Sequence, residues 1–263
     1  MADNFKPIQV GGEFIDYDNL HTNLGYDISN GSYSGHVTWS KIGFGSGVTA
    51  EQDIAPWLTA AYVWPDAEKT MTIVSSATAD TAAGSGARIV KVYYLDDGFA
   101  EHVGTVTMTG TAPVTVATDM YRVNNARIAT SGTSLSAVGN ITIASGGITY
   151  GYITATKTRM RQCVWSVPYN KTLYVSSIAF SCADQAAGKY SRFTTRANFD
   201  EKSGEVLQPG LFMPFNEVVL NNTGYYRELN PPTKLPATTD LKVSVFANSA
   251  AVVTCTLRGW TVT

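Results

Sequence analysis

The feature that most constrains the fold is a succession of short runs rich in Val, Ile, Thr and Tyr, which begins near residue 70. Gly, Asn, Asp and Pro interrupt these runs at intervals of roughly 8 to 12 residues, a spacing typical of β-sandwiches and jelly rolls. Asp96-Asp97-Gly98 is a predicted hairpin turn, because Gly accepts a positive φ that Asp also tolerates. The strands expected in the first half of this region are 70–75, 88–95, 102–109, 114–118, 120–129, 140–144 and 148–156.

A second series of strand-like runs follows the first. Leu241, Val243 and Val245 are apolar, and Lys242 and Ser244 separate them in the sequence. This alternation is typical of an antiparallel strand with one buried face, so the two polar residues are expected to point away from the core. No helical pattern joins the runs, which argues against a parallel sheet and a Rossmann-type cofactor site. The strands expected here are 162–167, 172–181, 190–199, 205–207, 211–215, 217–220, 241–247 and 252–262.

The predicted fold class is therefore all-β, with an N-terminal extended arm followed by two antiparallel, jelly-roll-like β-sandwiches. The predicted boundaries are 1–62 for the arm, 63–160 for the first sandwich and 161–263 for the second. The Pro-rich segment 230–236 is expected to cross one end of the second sandwich, because Pro cannot pair within a central strand.

The arm is rich in Gly, Asn, Asp and aromatic residues and has no sustained period of either 2 or 3.6. Exposing so many aromatic rings to water is unfavourable, so the arm is expected to lie against its own β domain or a neighbouring subunit. The expected interface residues are Phe5, Phe14, Tyr17, Trp39 and Trp57.

Composition excludes several classes of protein. The formal net charge is -2 and charged residues make up 15% of the chain, against about 25% in an ordinary soluble domain, so we expect no nucleic-acid partner. The apolar runs are far shorter than the roughly 20 residues of a membrane-spanning helix, and we expect no membrane partner. The N-terminus lacks the pattern of a secretory signal, which predicts synthesis in the cytoplasm.

The three cysteines, Cys163, Cys182 and Cys255, form no Cys-x-x-Cys pair. Their odd number and their spacing argue against a disulfide framework and against a zinc ribbon. All three are therefore interpreted as small core residues.

No motif indicates catalysis, so we expect no enzyme, no catalytic residue, no cofactor and no bound metal. The three histidines lie near no Gly-x-Ser-x-Gly sequence, and Gly84-Ser-Gly86-Ala-Arg88 lacks the Gly-Lys-Ser/Thr end of a phosphate-binding loop. A glycoside hydrolase with two carboxylates stays open, although context selects no pair. Calcium also stays open, either at Asp16-Tyr-Asp18-Asn19 in the arm or at Asp96 and Asp97 with Asp80 or Asp119.

Adjacent tyrosines suggest a surface that needs a partner. Tyr93-Tyr94 and Tyr225-Tyr226 place neighbouring rings on opposite faces of a strand, so only one ring of each pair can face the core. The other ring would contact a carbohydrate or a neighbouring subunit. The low content of Lys, Glu and Asp favours the subunit, because protein interfaces are depleted of these residues.

Residues from about 65 to 263 resemble a family of tailed-phage virion structural proteins with β-sandwich or jelly-roll domains. The motifs that carry the resemblance are Ile73-Val-Ser-Ser-Ala-Thr-Ala-Asp80-Thr-Ala-Ala-Gly84-Ser-Gly86-Ala-Arg88, Val90-Lys-Val-Tyr-Tyr-Leu95-Asp96-Asp-Gly98, Glu101-His-Val-Gly-Thr-Val-Thr-Met-Thr-Gly110-Thr-Ala-Pro113-Val, Asn140-Ile-Thr-Ile, Val167-Pro168-Tyr-Asn170-Lys171-Thr-Leu-Tyr174, Leu235-Pro-Ala-Thr-Thr-Asp240-Leu-Lys-Val243 and Gly259-Trp260.

The resemblance implies a non-enzymatic protein located in the virion. It implies a head decoration or cement protein that stabilises the mature capsid, with a neck, tail or baseplate adaptor as the alternative and a host-glycan-binding module as a further one. The implied partners are the major capsid protein, other virion proteins and further copies of this chain in a homo-oligomer, expected to be a trimer.

Overall fold

The computed structural model describes residues 8–10, 13–15, 24–200 and 203–263. The chain is all-β, with 57% strand and 2% helix, which confirms the predicted class. The elements in the first part of the chain are β1 (Ile8–Val10), β2 (Glu13–Ile15), α1 (Leu24–Ser29), β3 (His36–Val48), β4 (Gln52–Asp53), β5 (Lys69–Ser75), β6 (Ala87–Leu95), β7 (Glu101–Thr107), β8 (Val114–Met120), β9 (Arg122–Ser131), β10 (Ile141–Ser145) and β11 (Ile148–Ile153).

The remaining strands follow without a further helix among the described residues. No helix in the described ranges has the length and hydropathy needed to cross a membrane. The strands are β12 (Val164–Ser166), β13 (Thr172–Ala183), β14 (Ser191–Ala197), β15 (Phe199–Asp200), β16 (Glu205–Val206), β17 (Met213–Leu220), β18 (Gly224–Leu235), β19 (Asp240–Ala247) and β20 (Ala251–Val262).

Two antiparallel sheets in the middle of the chain share one apolar core. Their strand orders are β11-β10-β5-β8 and β7-β6-β9. Met71 and Ile141 from the first sheet and Val90 and Val123 from the second are buried in that common core. Alternate side chains of each strand therefore supply the two inner faces.

Two further sheets share a second core. One has the order β18-β13-β20-β3 and is called the β3 sheet below. The other has the order β12-β19-β14-β17, with β4 also paired to β19, and is called the β19 sheet. Phe180 and Leu257 of the β3 sheet meet Phe193 and Val245 of the β19 sheet in this core.

Strand β19 is buried on both faces, which corrects the predicted half-buried pattern. Lys242 and Ser244 are 8% and 3% exposed. Both donate hydrogen bonds to the carboxylate of Asp53, Lys242 Nζ at 3.0 Å and Ser244 Oγ at 2.6 Å. The neighbouring strand β4 thus supplies the buried polar groups with a partner, as burial requires.

Part of the predicted arm belongs to a sheet. Residues 36–48 form β3, which pairs along its length with β20, so this segment is a strand of the second core and not an arm. The glycines in β3 hide its strand character. Gly43 is nevertheless required there, because a Cβ atom would lie 2.7 Å from Sγ of Cys255.

The Pro-rich segment lies within β18 and does not cross the end of a sandwich as predicted. Strand β18 is an edge of the β3 sheet, where Pro is tolerated because one side of the strand has no partner among the described strands. The pairing of β18 with β13 jumps from Glu228 opposite Ser177 to Thr233 opposite Val175. Residues 229–232 therefore bulge out of the ladder.

Candidate functional site

The outer face of the β3 sheet is the most distinctive surface among the described residues. Along β20, Cys255 and Leu257 are fully buried, whereas Thr256, Arg258 and Trp260 have the opposite orientation. This alternation is the ordinary period of a strand with one face on a core. The outer face consequently carries hydroxyl groups, aromatic rings and one arginine.

Cross-strand pairing places these side chains beside one another. Arg258 lies opposite Ser40 of β3 on one side and Ser177 of β13 on the other. Trp260 lies opposite Tyr174, and their rings stack at 5.7 Å between centroids with 13° between planes. Parallel stacking fixes the orientation of both rings.

A groove of about 740 Å³ runs over this face and is called the outer groove. Two irregularities form it. Strand β13 has a bulge at Ser176, and β18 has the four-residue bulge at 229–232 opposite. The bulged backbone forms a wall that a regular sheet lacks. The groove is lined by Thr38, Trp39, Ser40, Ser176, Ser177, Tyr226, Glu228, Leu229, Asn230, Pro232, Arg258, Gly259 and Trp260.

Few of the polar side chains that line the outer groove form hydrogen bonds with other described residues. The Tyr226 hydroxyl donates to Oε1 of Glu228 at 3.0 Å, and Ser176 Oγ donates to the Arg258 carbonyl at 3.3 Å. The side chains of Arg258 and Asn230 make no hydrogen bond or ion pair with the part of the chain that the structure describes. Their donors and acceptors are available to a ligand.

A second groove of about 410 Å³, the junction groove, adjoins the first, and Trp39 lines both. It separates the β3 sheet from β6 and β7. His102 Nε2 lies 2.8 Å from Oδ2 of Asp96, a contact that lowers the pKa of the Asp96 carboxyl. Burial, together with a hydrogen bond to Asp119, raises the pKa of Tyr94 to about 12. Tyr94 and His102, which both line the junction groove, are therefore each held by a hydrogen bond to a carboxylate.

The structure places the five predicted interface residues differently. Phe5 and Tyr17 lie outside the described residues, and Phe14 is in β2, with its side chain outside the described part. Trp39 lines the outer groove and the junction groove. Trp57 packs on the first core, with its ring centroid 5.5 Å from that of Tyr152, so contacts within this chain cover part of the Trp57 side chain. An interface role for these residues stays a prediction.

The paired tyrosines confirm that only one ring of each pair can enter the core. Tyr94 is 7% exposed and belongs to the first core, and Tyr225 packs on the second. Tyr226 is 61% exposed and reaches the outer groove. Sequence reasoning did not select Arg258 or Trp260 as site residues, although the alternation of Thr254, Thr256, Arg258 and Trp260 is visible in the sequence.

Other candidate chemistry has a structural explanation. Asp80 accepts hydrogen bonds from Ser75 Oγ and from the backbone N–H groups of Ala87, Val138 and Gly139, which occupy its carboxylate. No group of three or more His, Cys, Asp or Glu side chains suited to a metal ion occurs in the described ranges. Glu228 is the one carboxylate that lines the outer groove among the described residues, whereas glycoside hydrolysis uses two.

The cysteines are all buried, as predicted, but two of them are bonded to each other. Cys163 and Cys255 form a disulfide, and Cys182 is free. The sequence argument from an odd cysteine count did not anticipate the disulfide, because Cys163 and Cys255 are 92 positions apart and only folding brings them together.

Comparisons with known proteins give no assignment. No family model matches the chain, and no curated protein matches it. Among solved structures, T=1 particles derived from infectious bursal virus match with 9% identity and a TM-score of 0.21, covering 87% of this chain and 73% of the other. The VP2 subviral particle of infectious bursal disease virus matches with 8% identity and a TM-score of 0.17, covering 86% and 75%. TM-scores this low do not establish a shared fold or a shared function.

Proposed function

We propose that this chain is a non-enzymatic structural protein of a virion, and that it decorates the outside of a capsid as a cement protein. The observation that carries the proposal is a set of open sheet edges with exposed apolar side chains. Such edges favour pairing with another chain, and an isolated monomer ordinarily protects them. The proposal also rests on the resemblance to tailed-phage virion proteins described above.

Strand β17 is the clearest of these edges. It pairs with β14 on one side and has no second partner among the described strands. Met213 is 46% exposed and Val219 is 55% exposed along it. The edge strand β7 similarly exposes 53% of Val103. An assembly that covers these strands would bury apolar surface and satisfy unpaired main-chain groups at once.

The architecture suits this role. Each of the two cores is shared by a pair of antiparallel sheets, and we infer two β-sandwiches from that arrangement. Each sheet packs one face on a core and leaves its edge strands at the surface, where another chain can reach them. The low charge of the chain adds to this, because protein interfaces are depleted of Lys, Glu and Asp.

Cementing follows from mass action. A protein that binds the mature shell better than the immature or dissociated shell stabilises the mature form. The partners in this proposal are the major capsid protein and further copies of this chain in a trimer. The site of action in this proposal is the virion.

Reconstitution tests the proposal. Purified chain is added to capsids from a phage lacking its gene, and the mixture is sedimented. We expect wild-type protein to sediment with capsids, and Val219→Lys to weaken attachment at least about tenfold, since it replaces an exposed apolar side chain of the edge with a charge. Leu135→Lys is the matched control, because Leu135 is exposed but lies outside the strands. Failure of the wild type to bind capsids would contradict the cement role.

The alternative function is that of an adaptor in the neck, tail or baseplate. In that case the same edge strands would contact proteins of the neck, tail or baseplate instead of the shell. Binding to purified tails, without binding to capsids, would favour the adaptor over the cement protein.

A further inference from the structure

The outer groove has the chemistry of a site for a polyhydroxylated ligand. Aromatic side chains and free polar side chains lie side by side in it, and its volume of about 740 Å³ falls in the range of small-molecule sites. We propose that the outer groove binds a neutral oligosaccharide, with Trp260 and Tyr226 as stacking surfaces and Arg258 and Asn230 as hydrogen-bonding groups. This inference does not depend on the cement role and goes beyond it.

The aromatic groups are positioned for stacking. Trp260 is partly exposed at the groove, and its stack with Tyr174 fixes its orientation before any ligand arrives. Tyr226 is 61% exposed, and its hydroxyl is bonded to Glu228. The negative face of an aromatic ring attracts the polarised C–H groups of a pyranose ring. Fixed rings lose little entropy on binding, so they suit this contact.

The polar groups match the hydroxyls of a sugar. A sugar hydroxyl both donates and accepts hydrogen bonds, and it therefore needs both kinds of partner. Arg258 supplies donors, Glu228 supplies acceptors, and Asn230 supplies both. The hydroxyls of Thr38 and Ser40 lie along the same groove and have no partner among the described residues.

The charge of the groove selects a neutral ligand. Among the described residues, its lining contains one cation, Arg258, and one anion, Glu228. A nucleic acid or another polyanion requires several cations along its path.

Binding of defined probes tests the proposal. The full chain is titrated calorimetrically with neutral hexasaccharides of glucose, galactose, mannose and N-acetylglucosamine, and with hexagalacturonate as an anionic comparison. We expect a neutral probe to bind with a Kd at or below about 1 mM, and Trp260→Ala, Tyr226→Ala and Arg258→Ala each to weaken binding about tenfold or more. Hexagalacturonate is expected to bind more weakly than that probe.

The matched control is Tyr169→Ala. Tyr169 is 57% exposed, close to the value for Tyr226, but it does not line the outer groove. Tyr226 and Arg258 are exposed, so their truncation leaves the fold intact, and unchanged thermal unfolding verifies this for each variant. The control is expected to bind the probe as the wild type does.

Three results would overturn the proposal. One is absence of binding to every neutral probe at about 1 mM. Another is binding that survives both Trp260→Ala and Tyr226→Ala. A third is crosslinking of a photoreactive group at position 226 to a second copy of this chain in the absence of saccharide binding, which would make the groove a subunit interface. None of these results would contradict the cement role by itself.

Discussion

Arg122 of β9 donates two hydrogen bonds to the carboxylate of Asp240 of β19. Nε lies 3.0 Å from Oδ1, and Nη2 lies 3.0 Å from Oδ2. The two residues are 118 positions apart and are 1% exposed. Burial by itself would lower the pKa of Arg122, but the charge and hydrogen bonds of Asp240 raise it. The Arg122 guanidinium also lies 3.7 Å from the centroid of the Tyr121 ring. This pair joins the two cores.

Loss of this pair is expected to be strongly destabilising. Arg122→Met leaves the Asp240 carboxylate buried without its counter-ion, and we expect a loss of about 3–5 kcal/mol in the free energy of unfolding, measured with urea. Lys171→Met is the control, because its ion pair with Glu101 is partly exposed and should contribute less than about 1 kcal/mol. Equal losses in the two variants would contradict the account.

The buried Lys41 makes stability depend on pH above neutrality. Burial lowers the pKa of Lys41 from 10.5 to about 7, while the unfolded chain keeps the ordinary value. The unfolded state therefore binds more protons between these values, and stability rises with pH. We expect a gain of about 2 kcal/mol between about pH 7.5 and 9.5, which Lys41→Met removes.

The control for this pH dependence is Lys157→Met, since Lys157 is exposed. Urea unfolding of the three proteins across the same pH range gives the comparison. A slope that persists in Lys41→Met would assign the effect to another group.

We expect the ionisation of Asp80 to make the free energy of unfolding depend on pH in the acidic range. Burial alone would raise the pKa of Asp80, but hydrogen bonds from Ser75, Val138, Gly139 and Ala87 outweigh it and lower the pKa. A lowered pKa in the folded state means that this stabilisation is present above the ordinary value and is lost as pH falls. We expect Asp80→Asn to cost about 1–3 kcal/mol at pH 7 and to lose less stability than wild type between about pH 5 and pH 3.

The comparison variant for Asp80 is Asp97→Asn at an exposed turn. It should follow the wild-type curve at both ends of the pH range. If the stability of Asp80→Asn followed the wild-type pH curve, the hydrogen bonds of this carboxylate would make no contribution to the free energy of unfolding.

The disulfide predicts a thiol count. In unfolded, unreduced protein, Cys182 should react as a single thiol, and reduction should expose all three cysteines. Because the bond closes a loop of 92 positions, reduction should lower stability by about 4 kcal/mol. Three reactive thiols before reduction would contradict the bond between Cys163 and Cys255.

Much of the strand pattern is visible in the sequence. The predicted runs 70–75, 88–95 and 241–247 lie within one residue of β5, β6 and β19. Alternation of side chains is a local property, so a sequence reveals it directly. The class of fold followed from that alone.

The features that the sequence does not reveal depend on contacts between distant segments. The burial of Lys242 depends on Asp53, which is 189 positions away. Strand β3 is not evident in the sequence because its glycines, one of which close packing requires at Gly43, interrupt the pattern of apolar residues. The outer groove depends on the bulge at 229–232, which appears only once β18 pairs with β13.

Cryo-electron microscopy of purified particles that contain this chain tests the cement role most directly. If the chain is a cement protein, its density repeats over the outer surface of the shell at three-fold or quasi-three-fold positions, with an edge strand such as β17 against capsid subunits. Density confined to a single vertex or to the tail, or particles without the chain, would contradict the proposal that it is a capsid cement protein.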